Sequence, residues 1–235
     1  MVNLFVEALP PVYLCCDTFI VAEDVASAMR FQNEKRRREH LAWRRIVRRE
    51  LGARVHIDYN DVGAPVVDAE GSWISVAHGG DSVAVAIADE PVGVDIESLS
   101  RDFDRVAPRY MTSEELSLWS NEHWACYVWC AKEAMYKLYG RRGVELRGEL
   151  RVESFDSENR VIYGSMVDEA PSVIKISLFN DDIFVAVATF RLFYYLCWVK
   201  YNSVNRRWHR HRIILYLLVQ TRSVSFLRST PFLQL

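Results

Sequence analysis

The apolar positions of this chain change period several times, and each change marks an element. Between residues 3 and 22 apolar and polar positions alternate loosely, with Val12, Tyr13, Leu14, Phe19 and Ile20 on the apolar side, which predicts strands. Over 33–51 the spacing lengthens to that of a helix. Leu41, Ile46 or Val47, and Leu51 form its stripe, Asn33 is placed to cap it, Glu34 sits in its first turn and Gly52 follows its end. Arg36, Arg37, Arg38, Arg44, Arg45, Arg48 and Arg49 surround that stripe. Residues 58–63 form a turn region. Apolar, β-branched runs at 73–77 and 82–88, separated by His78-Gly79-Gly80-Asp81, predict a hairpin, and 92–97 a further strand after Pro91. Helices follow at 113–122, capped by Thr112 or Ser113, and at 123–140, ended by Gly140. The stretch to 190 reads as strands at 150–155, 161–165, 173–178 and 183–190.

The elements define an α+β fold. One internal echo adds to it: Asp81-Ser-Val-Ala-Val-Ala-Ile returns as Asp182-Ile-Phe-Val-Ala-Val-Ala about 100 residues later. Each copy comes late in a segment of one or two helices and several strands, which points to two related halves. At 235 residues, 50% hydrophobic and 26% charged, the chain can bury a core; a wholly disordered chain, a collagen-like fibre and a multi-span membrane protein are excluded. Cys15, Cys16, Cys126, Cys130 and Cys197 show no paired CxxC spacing, so reduced, mostly buried thiols are expected rather than a zinc site or a disulfide framework. No basic stretch precedes the apolar start, no apolar run approaches the ~18 residues of a spanning helix, and the cytoplasm is the expected compartment.

Charge divides the chain in two. Of its 29 Lys and Arg, eight lie in 191–235, which holds no Asp or Glu; the other 21 face 31 acidic residues, a formal charge of −10 over 1–190. The basic segment interleaves with Trp198, Trp208, Tyr216 and Phe226, a pattern compatible with binding phosphates of nucleic acid or a membrane surface. The acidic body opposes a broad footprint of that kind, and no nucleic-acid partner is expected.

The candidate chemistry lies in the body. Asp95 and Glu97, two apart on a strand, leave the same face, while Val94 and Ile96 turn to the core. Trp129, Glu133 and Lys137, at i, i+4 and i+8, share one helix face, with Lys132 and Tyr136 on the adjacent stripe. Such residues occur as a solvated strand face and an ordinary Glu–Lys surface pair. Equally, three hard oxygen ligands beside lysine and histidine suit Mg²⁺ held together with a phosphate.

These residues resemble the motifs of the 4'-phosphopantetheinyl transferases. Gly93-Val-Asp95-Ile-Glu97 is similar to their GxDxE, Trp129-Cys-Ala-Lys132-Glu133-Ala-Met-Tyr-Lys137 to their WxxKEAxxK, and Ile74-Ser75-Val76-Ala77-His78 to their ISxSH. The basic helix at Arg36–Arg44 resembles the one that opens the family's first half, and the resemblance runs over about 30–190. The length and echo resemble the monomeric, two-halved type that activates peptide and polyketide synthetases.

The resemblance implies a pseudo-duplicated fold with the active site in the cleft between halves: 1–92 as the N-terminal half, 93–190 as the C-terminal half bearing the catalytic motifs, and 191–235 outside the catalytic fold. It implies transfer of the phosphopantetheine arm of coenzyme A to a serine of an apo acyl or peptidyl carrier protein, with release of 3',5'-ADP. Asp95, Glu97 and Glu133 would hold Mg²⁺; Glu133 would be the base and Lys137 would sit by the leaving phosphate. Lys132 and His78 would contact phosphate oxygens, and Arg38 and Arg44 the 3'-phosphate. Met111, Trp119, Trp124 and Tyr127 would offer the carrier an apolar face. Two positions depart from the pattern: Gly63-Ala64-Pro65 stands for GKP, and Ala77 for the serine of the SH pair. Each loss is expected to weaken coenzyme A binding by about 1–2 kcal/mol. The alternative reading is a degenerate, non-catalytic module that binds coenzyme A or the carrier.

Overall fold

The computed structural model describes residues 1–11, 17–179 and 182–191. Three strands, β1 (Val2–Ala8), β4 (Trp73–Gly79) and β5 (Ser82–Ala88), form an antiparallel sheet in the order β1-β5-β4, and β2 (Ile57–Tyr59) pairs with β3 (Pro65–Val67) in a separate hairpin. A five-stranded antiparallel sheet follows, ordered β6-β10-β9-β8-β7, from β6 (Val92–Ser98), β7 (Leu150–Asp156), β8 (Val161–Met166), β9 (Ser172–Phe179) and β10 (Ile183–Phe190). The helices are α1 (Ala22–Ala28), α2 (Glu34–Leu51), α3 (Ser113–Ser117) and α4 (Trp124–Tyr139). The architecture is thus a mixed α+β one.

Most expected elements appear within a residue or two of their places. Of the expected 58–63 turn, residues 60–63 fall in the connection between β2 and β3, whereas Asp58 and Tyr59 belong to β2 and pair with Val66 and Pro65. Asn33 caps α2 by accepting from the Arg36 N–H at 3.1 Å, and Gly140 closes α4 in the left-handed conformation. Two expectations change. Phe19 and Ile20 are in no strand, and α1, too short to show a helical period, follows them. The helix expected to reach 122 stops at Ser117, although Thr112 caps it as expected. Val12, Tyr13, Leu14 and the segment 192–235 lie outside the described residues, and so does the expectation for the basic tail. Cys126 and Cys130 are buried free thiols; Cys15, Cys16 and Cys197 lie outside the described residues. Among the described residues no helix is long and apolar enough to cross a membrane.

The echoed VAVA runs become the inner strands β5 and β10. Strands covered on both faces read as continuous apolar runs. Val83, Val85 and Ile87 of β5 pack with Ala42, Trp43, Ile46 and Val47 of α2. The alternate residues Ala84, Ala86 and Ala88 pack with Val94 and Ile96 of β6 and with Ile183 and Val185 of β10. On the far face of β10, Phe184, Ala186 and Ala188 pack with Val128, Ala131, Ala134 and Met135 of α4. The period of two therefore stacks four layers: α2, the small sheet, the large sheet, α4.

Two glycines set the tightest spacings in this stack. A Cβ on Gly79 of β4 would lie 2.2 Å from the Ile96 carbonyl oxygen of β6. A Cβ on Gly93 of β6 would lie 1.9 Å from the Ala134 carbonyl oxygen of α4. Backbone thus meets backbone on both sides of β6, and the Ser75 hydroxyl accepts from the Val94 N–H at 3.0 Å, so that buried donor is satisfied.

Most of the arginines of α2 fasten the first 28 residues to the helix. Asp24 is fully buried, 2.9 Å from Arg44 and 2.8 Å from Arg48. Burial alone would raise its pKa, but bonds from Arg48, the Val21 N–H and Arg44 outweigh that and hold its carboxyl below the usual range. Arg45 pairs with Glu7 at 2.7 Å and Asp17 at 2.8 Å, and Arg49 with Glu7 at 2.6 Å.

Gly93→Ala is expected to force α4 off β6 and to lower the stability by about 1–3 kcal/mol, the usual cost of overpacking. The fall in the urea midpoint at unchanged slope measures it; an unchanged midpoint would show that the helix yields freely.

Candidate active site

Gly93, Asp95 and Glu97 lie on the face of β6 that meets α4, because Val94 and Ile96 are committed to the core between the sheets. The close contact at Gly93 lowers α4 onto that face and brings its 129–133–137 stripe to the two carboxylates. The Lys137 ammonium donates to Asp95 Oδ1 and to the Val94 carbonyl, both at 2.8 Å. The Trp129 indole N–H donates to Glu97 Oε1 at 3.1 Å, and Arg101 donates to the same oxygen at 2.7 Å. Asp95 Oδ2 is buried with no hydrogen-bond partner among the described residues. The half-buried Glu133 carboxylate accepts no bond from a described residue.

The electrostatics follow from that crowding. Burial, and then the neighbouring Asp95 charge, push both Glu97 and Glu133 above the ordinary glutamate value of 4.5; Lys137 opposes this at Glu133 and Arg101 at Glu97. The three carboxylates and Lys137 thus share one electrostatic environment. As placed, however, no three His, Cys, Asp or Glu side chains among the described residues converge closely enough to hold a metal ion.

A second group lies at the N-terminal turn of α2. An open pocket of ≈ 260 Å³ there is lined by Lys35, Arg36, Glu39 and His78 together with Asn33, Gly79 and Gly80. Arg36 bonds the His78 ring, and Glu39 lies 3.7 Å from His78 Nδ1. Burial lowers the His78 pKa; Glu39 opposes this, while Arg36 and Lys137 add to it. His78 therefore lies within the field of Lys137.

Other expected site residues point elsewhere. Lys132 is fully buried: its ammonium donates to the Tyr110 carbonyl at 2.6 Å, the Leu146 carbonyl at 2.9 Å and the Glu115 carboxylate at 2.8 Å. All three of its donors are used, so it is a core lysine and not a phosphate contact. It lies about 100° around the helix from Glu133, which turns it inward. Glu115 is the residue the sequence reading missed: it also accepts from the Thr112 and Val152 N–H groups, tying α3, α4 and β7 together. Its only sequence signal is the capping box with Thr112. Arg44 is corrected in the same way, since it is 5% exposed and committed to Asp24. Arg38 donates to the Pro10 carbonyl at 3.0 Å, on the side of α2 away from Arg36. The apolar docking face is not formed as expected either: Met111 and Trp124 are core residues, Tyr127 stacks on Phe184 at 4.2 Å, and only Trp119 is exposed.

The two departures from the motifs acquire a structural meaning. Ala77 points into the core between the sheets and not toward His78. Ala64 lies in the β2–β3 turn, its N–H held by Asn60 Oδ1 at 2.9 Å.

Residues 91–187 match the family model of the 4'-phosphopantetheinyl transferase superfamily. They form a phosphopantetheinyl transferase superfamily domain. This transferase-superfamily domain runs from just before β6 into β10 and contains Asp95, Glu97, Glu133 and Lys137. No curated protein matches the chain.

Two outcomes test this geometry. Lys132→Met should leave Glu115 buried without a cation and cost about 3–5 kcal/mol of stability in urea unfolding; a phosphate-contact lysine would cost none. Glu133→Gln should raise the unfolding midpoint of metal-free protein at pH 7. The raised pKa of Glu133 means its ionised form opposes folding. That cost is absent below about 4.5, where both states are protonated, and is complete above the folded value. The gain should therefore grow with pH across that window, and a gain independent of pH would show a packing effect instead.

Proposed function

We propose that the chain transfers the 4'-phosphopantetheine arm of coenzyme A to a serine of an apo acyl or peptidyl carrier protein, with Mg²⁺, and releases 3',5'-ADP. The observation that carries the reading is the partnerless buried Asp95 Oδ2 beside two carboxylates whose ionisation is opposed by burial and by Asp95. Carboxylates held together in this way attract a cation, and an all-oxygen donor set suits Mg²⁺. Asp95, Glu97 and Glu133 would hold the metal once their side chains turn to converge on it. When bound, the metal would neutralise charge on the pyrophosphate of coenzyme A.

The chain's own groups do the rest. Glu133, with a raised pKa and no hydrogen-bond partner among the described residues, is suited to accept the serine hydroxyl proton. The attacking serine oxygen forms a bond to the β-phosphorus of coenzyme A, and the bond to the bridging oxygen breaks. Lys137, once released from Asp95, would stabilise the departing phosphate. We assign the phosphate contacts on the first half to His78, Arg36 and Lys35, which line one open pocket, in place of Lys132, Arg38 and Arg44.

The finer architecture belongs to the same proposal. We take 1–92 and 93–190 as duplicated halves, with the site in the cleft between them and 191–235 outside the catalytic fold. Support comes from β5 and β10, which carry the echoed runs, each inside its own sheet with one helix on its outer face. We also take the chain to act as a monomer in the cytoplasm, a reducing compartment that accords with the free thiols of Cys126 and Cys130.

Incubation with coenzyme A, Mg²⁺ and an apo carrier protein should add the mass of the arm to the carrier, and Glu133→Gln should abolish the gain. A folded protein that binds coenzyme A in calorimetry but adds no mass would be the non-catalytic module instead.

A further inference from the structure

Arg101 stands outside the four motif segments, in the loop that follows β6, yet it reaches back onto Glu97. Its guanidinium donates to Glu97 Oε1 at 2.7 Å and lies over two rings, 4.8 Å from the Phe103 centroid and 5.5 Å from that of Trp129. Trp129 donates to the same oxygen at 3.1 Å and packs edge-on against the buried Tyr110 at 5.0 Å. The two donors on Oε1 are therefore themselves held: Trp129 by the core, and Arg101 by cation–π contact with Phe103 and Trp129. Asp95 shows the same pattern, with Oδ1 taken by Lys137 and Oδ2 without a partner among the described residues.

We propose that Arg101 is a positioning residue of this site: with Trp129 it pins Oε1 of Glu97, so that Oε2 is left, in a fixed orientation, for a divalent cation. The inference rests on the metal reading of the carboxylates proposed above. A carboxylate that ligates a metal is usually held by a hydrogen-bond partner on its other side, and loss of that partner typically costs 10–100-fold in affinity. Arg101 also carries a positive charge, which on its own would oppose a second cation. The two roles predict opposite effects, and that makes the role testable.

Mn²⁺ titrated into the full chain without coenzyme A, with the free ion followed by electron paramagnetic resonance, reads affinity independently of turnover. Arg101→Ala should weaken Mn²⁺ binding about tenfold, and Arg101→Lys should recover part of the loss, because a lysine restores one donor without the planar fork. The Arg101 side chain is half exposed, so the thermal midpoint of Arg101→Ala should stay near that of the wild type, which separates positioning from folding. Unchanged or tighter Mn²⁺ binding in Arg101→Ala, with the wild type binding normally, would overturn the role of Arg101 alone. Failure of the wild type to bind Mn²⁺ would overturn this role and the metal reading together.

Discussion

The acidic cluster depends on one contact, the approach of the α4 backbone to β6 at Gly93. A side chain there would meet the Ala134 carbonyl at 1.9 Å, so the helix can lie where it does only because this strand position has no Cβ. The consequence is geometric. Residues four apart on a helix rise about 6 Å, and residues two apart on a strand about 6.7 Å, so a helix pressed onto the strand runs its 129–133–137 stripe along Asp95 and Glu97. Long side chains on a helix lean toward its N-terminus, and Lys137 reaches back in that sense to Asp95 and the Val94 carbonyl. The same β6 is fixed from behind by Gly79 and Ser75 of β4, so the strand that carries the carboxylates is held on both sides by backbone contacts.

That rigidity has an electrostatic cost. Asp95, Glu97 and Glu133 crowd one another in a partly buried place, and burial and mutual repulsion disfavour ionisation of the two glutamates. Lys137 and Arg101 offset part of this by pairing with one oxygen each of Asp95 and Glu97. The offset is incomplete, since Glu133 has no such partner among the described residues. A site that repels itself in this way is more stable with a cation than without one. In the proposed function, Glu133 is thus the position where function and stability compete, while the inward face of α4 is ordinary core.

Much of this was legible from residue patterns, because period and punctuation are local properties. The hairpin at Gly79–Gly80, the cap at Asn33, the stop at Gly140 and the paired carboxylates on β6 all follow from residues close in sequence. The failures at Lys132 and Arg44 share a different cause. A helix that is apolar over most of its circumference does not announce which stripe faces the core, and Lys132 sits one residue from the site but about 100° away. Its partner Glu115 lies 17 residues off, and the partner of Arg44, Asp24, lies on a helix of seven residues with no readable period. Buried charge pairs of this kind are long-range facts, invisible until the partners are brought together.

The same parity argument decides what the unusual positions mean. On β4 the side chains alternate between the inter-sheet core and the face toward α2, and Ser75, Ala77 and Gly79 fall on the core side. A hydroxyl at position 77 would be buried among Ala84, Ala86 and Val94, where it would need a partner of its own. Alanine fills that place without such a need, and it takes nothing from the face that His78 presents to Lys35, Arg36 and Glu39. The substitution is thus a property of how tightly the two sheets pack. The phosphate contacts proposed for His78 would come from the opposite face of the same strand.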